Sequence, residues 1–473
     1  MNENKANVLN LGKSPAHTVL KLAWPTILEQ LVMALLTIAD AAMVGALGPG
    51  PSAAVGIVMP MTYLLNGLAC AVSTGFSVVT AQSIGSDDME RASRSANKGI
   101  FFAMVSGLAV TLIFYFLAPY MPFLMGAEPE IAQMTTDYFS IFAFTAVLNI
   151  SSTTCSAVLR SCGQTKTPLI INTFSIILNI ILNFVFIFPS ANLHFMGMEF
   201  SFIGLNRGVR GAAEATVVSM IFAFVILFVT TYKNGRGIVI SIKDMPKPDS
   251  DIYKNAAHVG LPIFFERITL GLGQVGYMRL VSTMGTSMIA AHHLAAQAES
   301  LSYLPCFGFS VAATTLVGQA VGARDYEKAE KFGHIACRAG MLYGFLAGLV
   351  LFFAGRPIML IFTRDEELIH IGINLLKIVA VGQAIQAADF IYAGGIRGTG
   401  ESRQPFYVAL SGIWGIRILG TAITTFVFHM NIYAAWVMMD LDMFYRGTVS
   451  TICFLKRFKF LKNKKKQEEI SAE

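Results

Sequence analysis

The stretch LAWPTILEQLVMALLTIADAAMVGALG, Leu22 to Gly48, decides the fold. It is a long apolar run that carries two carboxylates, Glu29 and Asp40, where a lipid-facing helix would carry none. An ionisable side chain at membrane depth costs on the order of several kcal/mol, so it is expected to face a polar cavity on an ion or substrate path. The stretch therefore predicts a membrane-spanning helix with a functional role.

The same pattern returns later in the chain without a gap. Pro25 and Glu29 align with Pro262 and Glu266, an offset of 237 in the numbering. The register continues through two further sets: Gln82, Gly85, Asp88, Glu90 and Ala92 align with Gln319, Gly322, Asp325, Glu327 and Ala329, and Arg160, Gly163 and Pro168 align with Arg397, Gly400 and Pro405. The chain therefore contains two copies of one unit.

Composition indicates a membrane protein throughout its length. The 473 residues are 54% hydrophobic and only 14% charged, whereas soluble proteins are about 25% charged. A span needs about 20 apolar residues. Twelve runs qualify, and we predict an all-α polytopic membrane protein with spans at 18–46, 53–81, 97–117, 131–158, 167–188, 211–231, 256–284, 289–317, 334–354, 367–393, 406–428 and 432–454.

The distribution of Lys and Arg predicts the orientation. These residues collect in alternate connections and in the tail, which places both termini in the cytoplasm. Because six spans is an even number, both copies enter the membrane in the same direction and form parallel repeats. We predict an amino-terminal lobe at 1–232, a cytoplasmic linker at 233–255, a carboxyl-terminal lobe at 256–455 and a basic tail at 456–473.

Three connections have distinctive sequences. QSIGSDDMERASRSANKG and QAVGARDYEKAEKFGH are predicted to form short amphipathic helices at one membrane face. SANLHFMGMEFSFIGLNRG is predicted to form an outside hairpin between spans 5 and 6. Its counterpart between spans 11 and 12 is almost absent, so the register of the repeat is expected to break there.

The sequence argues against several classes of function. It contains no HExxH, Cys/His metal spacing, Walker loop or GxSxG, so we expect neither an enzyme nor a cofactor. The net charge is +6, and the basic residues lie between the apolar runs and in the tail. This distribution fits a role in membrane orientation better than nucleic-acid binding. We expect a monomer in the bilayer of the cell membrane, with any uphill transport driven by an ion gradient.

Several motifs together resemble the multidrug and toxic compound extrusion (MATE) transporters. They are L-x-x-P-x-x-x-E-Q in span 1, P-x-x-x-E in span 7, ESLSYLPCFGFSVAATTLVGQAVGA in span 8, and LRSCGQTKTP and IRGTGESRQP after spans 4 and 10. The resemblance extends over residues 16–455. It implies a V-shaped pair of six-helix lobes that exports cationic or amphipathic small molecules in exchange for Na⁺ or H⁺.

The resemblance assigns a coupling role to Asp40, because members of the family bind the coupling cation at an Asp in span 1. Na⁺ is one candidate for that site, and capping of a helix kink is the alternative role. The repeat partner of Asp40 is Tyr277, so the two lobes are expected to differ chemically. Asn149 in span 4 is a further candidate for the same pocket.

Span 5 contributes Asn179 and Asn183, which lie four residues apart on one helix face. Many family members have Asn then Asp at this spacing, so Asn183 lacks a charge that relatives carry. An amide can bind a cation through its oxygen but cannot carry a proton. Hydrogen bonding between helices is the alternative role for this pair.

The second lobe offers two further acidic candidates. Glu266 repeats Glu29, and family members place an acidic residue in span 7 at a cation site; Arg267, next in the chain, is a candidate to neutralise it. Asp389 lies in the middle of span 10, where an unpaired carboxylate is hard to explain by packing. Both are predicted to bind the cation or proton.

His292, His293 and Glu299 lie at the start of span 8, and Glu299 follows His292 by seven residues, two turns along one face. A His with a pKa near neutrality can relay protons, so these residues form a candidate proton relay. A hydrogen bond between His and Glu of neighbouring helices is the alternative.

Two other functions compete with antiport. A flippase for lipid-linked saccharides shares the two-lobe plan, but its cavity would need many basic residues, and here only Arg279, Arg417 and Lys377 lie mid-span against Asp40 and Asp389. Acidic residues in the cavity favour a cationic substrate. A membrane-embedded transferase would need a soluble domain or a His-carboxylate loop, and the sequence shows neither.

Overall fold

A computed structural model describes residues 6–9, 14–195, 198–233 and 237–471. The outer limits of the predicted first domain and tail, residues 1–5, 10–13 and 472–473, lie outside these ranges. So do residues 234–236 of the predicted cytoplasmic linker and residues 196–197 of the predicted hairpin.

Long helices make up both halves of the chain. The first half contains α1 (Pro15–Gly45), α2 (Pro49–Gly85), α3 (Met89–Leu117), α4 (Met121–Leu124), α5 (Pro129–Phe142), α6 (Thr145–Ser161), α7 (Lys166–Ile187) and α8 (Gly208–Tyr232). The second half contains α9 (Ser250–Val281), α10 (Thr286–Gly322), α11 (Tyr326–Phe353), α12 (Gly355–Phe362), α13 (Glu366–Gly398), α14 (Arg403–Leu410), a π-helix (Ser411–Ile418), α15 (Leu419–Phe426) and α16 (Ile432–Ile470). Short 3₁₀ turns follow α3 and α9.

The repeat seen in the sequence is present in the backbone. The helices α2 and α10 have the same length and begin at Pro49 and Thr286, which are related by the offset of the repeat, and each ends in a tight turn. In those turns the equivalent residues Asp87 and Arg324 adopt positive φ angles of 62° and 56°. The next residues, Asp88 and Asp325, accept hydrogen bonds that cap α3 and α11. The prediction of separate short amphipathic helices is therefore wrong, because each segment consists of the end of one long helix, a tight turn and the start of the next long helix.

The hairpin between α7 and α8 departs from an all-α fold. Strand β1 (Pro189–Phe195) pairs antiparallel with β2 (Met198–Leu205). The second half has only a short connection between α15 and α16, so α16 begins earlier, relative to α8, than the offset of the repeat would place it. This confirms the predicted break in register.

Two predicted spans differ between the halves. The residues predicted as span 4 form α5 and α6, separated at Ala143 and Phe144, whereas α13 is continuous. The helix α7 is continuous, whereas its counterpart contains the π-helix.

Among the described residues, ten helices are long and apolar enough to span a membrane. The charged helices α9 and α16 are not among these ten, so the count of twelve spans stays a prediction.

The linker and the tail pack against the helices instead of extending into solvent. Asn97 of α3 donates to the carbonyl of Val239 (3.0 Å) and accepts from the backbone N–H of Ser241 (2.8 Å), and Lys98 donates to the carbonyl of Asp244. The helix α9 begins at Ser250, inside the predicted linker. At the other end, α16 continues past residue 455 and buries Phe458 and Leu461 in the core.

The two halves meet where α2 and α10 end. Gln82 donates to the carbonyl of Gly398 (2.9 Å), and its counterpart Gln319 donates to the carbonyl of Ser161 (2.8 Å). Both the donors and the acceptors are repeat equivalents of each other, as in a two-fold symmetric interface. Because the carboxyl ends of both helices meet at one end of the bundle, the pseudo-two-fold axis runs along the bundle. We call this end, defined by Gln82, Ser161, Gln319 and Gly398, the closed end.

Glycine allows this close approach. A Cβ at Gly85 would clash with the carbonyl oxygen of Gln319, and a Cβ at Gly322 would clash with that of Gln82. Both neighbours are backbone atoms, so the helices themselves would have to move apart.

We expect Gly85→Ala to destabilise the protein by about 1–3 kcal/mol, because the new methyl overpacks the closed end. The matched control is Gly56→Ala in the same helix, where a Cβ would meet nothing within 4 Å. Thermal unfolding of the purified proteins in detergent measures the difference. Equal melting temperatures for the two variants would contradict the close approach.

Candidate functional site

Asp40 lies in α1 and faces α7. The side-chain amide of Asn183 donates to Asp40 Oδ1 at 2.6 Å and to Asn179 Oδ1 at 3.0 Å. Both acceptors are oxygens, so the two amide hydrogens of Asn183 are used. The structure thus brings together three of the residues that the sequence selected, from two helices that are far apart in the chain.

Two residues of α8 that the sequence analysis did not select support this group. Asn179 Nδ2 lies 3.4 Å from both Thr216 Oγ1 and Ser219 Oγ. Ser175 donates to the carbonyl of Ser219 at 2.7 Å and ties α7 to α8. The spacing of Thr216 and Ser219, three residues apart in an apolar helix, is the sequence signal that could have identified them.

The group contains an oxygen without a hydrogen-bond donor. Asn183 Oδ1 is buried and has no hydrogen-bond partner, and Asn183 itself is only 1% exposed. An unsatisfied buried carbonyl costs free energy unless something pairs with it. A carboxylate and an amide oxygen side by side are ligands suited to a hard cation such as Na⁺, and the carboxylate alone can take up a proton.

The second half has no equivalent group. The positions that correspond to Asp40, Asn179 and Asn183 are Tyr277, Ile416 and Gly420. The hydroxyl of Tyr277 is buried without a partner. The arrangement around Asp40 therefore exists in one half only.

Glu29 and Glu266 form matching buried ion pairs. Arg160 Nη2 lies 2.7 Å from both carboxylate oxygens of Glu29, and Arg397 Nη2 lies 2.6 and 2.8 Å from those of Glu266. Both Arg side chains are 13% exposed, and the Glu29 and Glu266 side chains are 6% and 8% exposed. The partner of Glu266 is thus Arg397 and not its neighbour Arg267. In the first half, Asn172 also donates to Glu29 at 2.6 Å.

Asp389 is also paired, so the expectation of an unpaired carboxylate is wrong. Arg446 Nη1 lies 3.0 Å from Asp389 Oδ2, and Ser450 donates to Asp389 Oδ1 at 2.7 Å. Arg446 also contacts Asp442 at 3.0 Å, and Arg417 from the π-helix reaches the same Asp442 at 2.8 Å. Two Arg and two Asp residues therefore form a neutral network.

The candidate relay residues do not form one hydrogen-bonded chain in the described part of the protein. His292 Nδ1 accepts from Trp436 Nε1 at 3.1 Å. Glu299 lies beside the side-chain amides of Gln383 and Gln386, and no hydrogen bond joins it to His292. The rings of His293 and His292 are tilted relative to each other, with centroids 6.0 Å apart.

Asn149 lies apart from the Asp40 group. Its side-chain amide donates to Asn66 Oδ1 of α2 at 3.2 Å. The described residues contain no group of three or more His, Cys, Asp and Glu side chains that could hold a metal ion. Any cation at Asp40 would therefore need amide, hydroxyl or water oxygens to complete its coordination.

We expect Arg397→Gln to destabilise the protein by about 3 kcal/mol or more, because it leaves the Glu266 carboxylate buried without a charge partner. The double variant Glu266→Gln/Arg397→Gln should recover much of this loss, since it removes both charges. Thermal unfolding of both purified variants and the wild type measures the effect. If the double variant were as unstable as Arg397→Gln, the ion pair would not be the source of the effect.

Comparison with known proteins identifies relatives across nearly the whole chain. The family model MatE matches residues 25–185 and 262–423, two segments whose first residues are equivalent positions of the repeat. A protein of Thermotoga maritima named "Probable multidrug resistance protein NorM" is 27% identical over 437 residues, which cover 92% of this chain and 91% of that one.

Solved structures share the fold. One described as "Crystal structure of MATE in the straight conformation" superposes with a TM-score of 0.88, at 21% identity, and covers 97% of this chain and 99% of the other. A second, described as "Outward-facing conformation of a multidrug resistance MATE family transporter of the MOP superfamily", gives a TM-score of 0.86 at 21% identity, with 97% and 98% coverage.

Proposed function

This chain belongs to the MatE family, and from that premise we propose that it is a secondary antiporter that exports organic cations or other amphipathic toxic compounds in exchange for Na⁺ or H⁺. The name of the Thermotoga maritima relative, a probable multidrug resistance protein, supports the efflux role. The many apolar helices of this chain fit a multi-pass protein of the cell membrane.

The observation that carries the coupling role is the contact between Asp40 and Asn183. Among the described residues, no Lys, Arg or His forms an ion pair with Asp40, unlike Glu29, Glu266 and Asp389. A carboxylate removed from water without a counter-charge is stabilised by binding a cation or a proton. The free oxygen of Asn183 gives such a cation a second ligand.

In this proposal the twelve helices form two lobes that rock about the pseudo-two-fold axis. Both termini lie in the cytoplasm, since the basic residues collect at that side. The closed end is then the cytoplasmic end, and the described state is open to the outside. Opening to the cytoplasm requires the hydrogen bonds of Gln82 and Gln319 to break.

The flippase alternative receives no support from the basic residues. Arg160, Arg397, Arg417 and Arg446 each lie in an ion pair with a buried carboxylate. A pyrophosphate head group would need several unpaired cations close together. These four arginines therefore do not form such a site.

We expect Asp40→Asn to abolish gradient-driven export and to leave the protein folded and inserted. The amide keeps an oxygen for the hydrogen bond from Asn183 but cannot exchange charge. Adding Asn183→Asp to this variant should restore part of the activity, because it returns a carboxylate to the same group. Ethidium transport in membrane vesicles with imposed Na⁺ or pH gradients measures the effect and shows which ion couples.

The control is Glu367→Gln, which removes one exposed carboxylate at the start of α13 and should leave export unchanged. Normal export by Asp40→Asn would move the coupling site to the second half and refute its assignment to Asp40. Transport by the wild type in the absence of either gradient would refute antiport itself.

A further inference from the structure

The amino-terminal segment, residues 6–9, lies inside the closed end of the bundle. Ala6, Val8 and Leu9 are all buried. Segments that precede the first helix of a domain are usually poorly ordered unless specific contacts tie them down. The burial of this segment therefore needs a physical explanation.

The side-chain amide of Gln319 binds the backbone of the segment. Its Oε1 accepts from the backbone N–H of Val8 at 2.8 Å, and its Nε2 donates to the carbonyl of Ala6 at 3.0 Å. The same nitrogen also donates to the carbonyl of Ser161 in the first half, at 2.8 Å. Gln319 is fully buried, so loss of the segment would leave polar atoms of its amide without partners, which is unfavourable.

The apolar side chains of the segment belong to the cores of both halves. Ala6 is part of a buried cluster of the first half that contains Ile84 and Cys162. Val8 and Leu9 are part of a second cluster, built mainly from α10, α11, α13 and α16. The segment therefore joins the two halves at the end where they meet, in addition to the contacts made by the two glutamines.

The equivalent groove on the other side of the pseudo-two-fold axis is a cavity. Gln82, the repeat counterpart of Gln319, lines a space of about 290 Å³. Three other lining residues, Val79, Ser83 and Val259, are the counterparts of residues that share a cluster with Val8, namely Leu316, Ala320 and Leu22. The closed end thus forms with one of its two grooves unfilled. Close packing of the helices does not require residues 6–9 in the other groove.

Duplication does not account for the segment either. Its counterpart, residues 243–246, belongs to the linker, where Lys98 of α3 donates to the carbonyls of Asp244 and Met245. None of these linker residues lines the cavity beside Gln82. Among the described residues, the arrangement beside Gln319 therefore belongs to the amino-terminal segment alone.

We propose that residues 6–9 are a releasable latch that docks in the groove beside Gln319 when the cytoplasmic end is closed and leaves this groove when that end opens. This inference rests on the rocking motion of the proposed function. Separation of the halves moves Ser161 away from Gln319, and the segment cannot then keep its place in the cores of both halves. The latch stabilises the outward-open state and limits how often the cytoplasmic end opens.

Distance measurements across the closed end test this proposal. Spin labels are attached to Glu90→Cys and Glu327→Cys, because these exposed glutamates are repeat counterparts in the first turns of α3 and α11. Cys70 and Cys453, the two cysteines that are not buried, are replaced by Ala in every sample. Double electron–electron resonance on the purified full-length protein in detergent then gives the ratio of open to closed molecules.

Val8→Asp should raise the ratio of open to closed molecules by about tenfold or more, because a carboxylate is unstable in a fully buried apolar site. Val8→Ala keeps a smaller apolar side chain and should raise the ratio less. The matched control is Val239→Asp, which makes the same change at an exposed valine of the linker and should leave the ratio unchanged.

Gln82→Ala distinguishes failure of the latch from failure of the rocking motion, because it removes the hydrogen bond to Gly398 on the side that holds no segment. A higher ratio in Gln82→Ala with an unchanged ratio in both Val8 variants would refute the latch and leave rocking in place. A single closed distance in all of these variants would refute both. Equal opening in Val8→Asp and Val239→Asp would also refute the latch, since the added charge and not the loss of docking would then be the cause.

Discussion

The structure depends on the compensation of charge inside an apolar bundle. Each half carries one Glu–Arg pair in the same position, Glu29 with Arg160 and Glu266 with Arg397. Removing one member of such a pair is far more damaging than removing both, because it leaves a buried charge alone. These pairs tie α1 to α6 and α9 to α13, so they fix the helices on which the rest of the architecture is built.

Exceptions to this compensation are informative. Among the described residues, Asp40 has an amide and no cation as its partner, and Arg267 has a thiol and no anion. One is a negative charge inside a half, and the other is a positive charge where the halves separate. An uncompensated charge in a low-dielectric site persists when something else binds to it. We assign the first of these charges, Asp40, to the coupling ion.

Duplication and divergence act on different positions of the same scaffold. Contacts at the closed end obey the two-fold relation in glycines, glutamines and acceptor carbonyls alike. The positions around Asp40 do not, since Tyr277, Ile416 and Gly420 replace the three polar side chains in the second half. Instead, the second half has the π-helix, which carries Arg417 to Asp442. π-Helical segments are frequent at functional sites.

The sequence was sufficient to predict the features that follow from the spacing of residues along one helix and from the internal repeat. The constant offset between the copies placed the matching helices, and the spacing of Asn179 and Asn183 correctly indicated that both side chains lie on one helix face, where they hydrogen-bond to each other. It missed what depends on packing between distant helices. Arg446, the partner of Asp389, lies in α16, where the register of the repeat has already changed. The choice of Arg397 over Arg267 as partner of Glu266 depends on side-chain direction, which sequence adjacency does not reveal.

The turns after α2 and α10 show the same limit at shorter range. Their charged residues, Asp88 and Asp325, suggested separate surface helices, but they cap the long helices that follow. A charged turn whose Asp caps the next helix has a composition similar to that of a short amphipathic helix. Only the path of the backbone distinguishes the two.

Infrared difference spectroscopy on the purified protein tests the coupling role of Asp40 most directly. Addition of Na⁺, or a change of pH, should alter a carboxyl or carboxylate stretching band of the wild type, because the free and ion-bound forms of Asp40 absorb differently. The account predicts that this change disappears in Asp40→Asn and persists in Glu367→Gln. An unchanged difference spectrum in Asp40→Asn would contradict it.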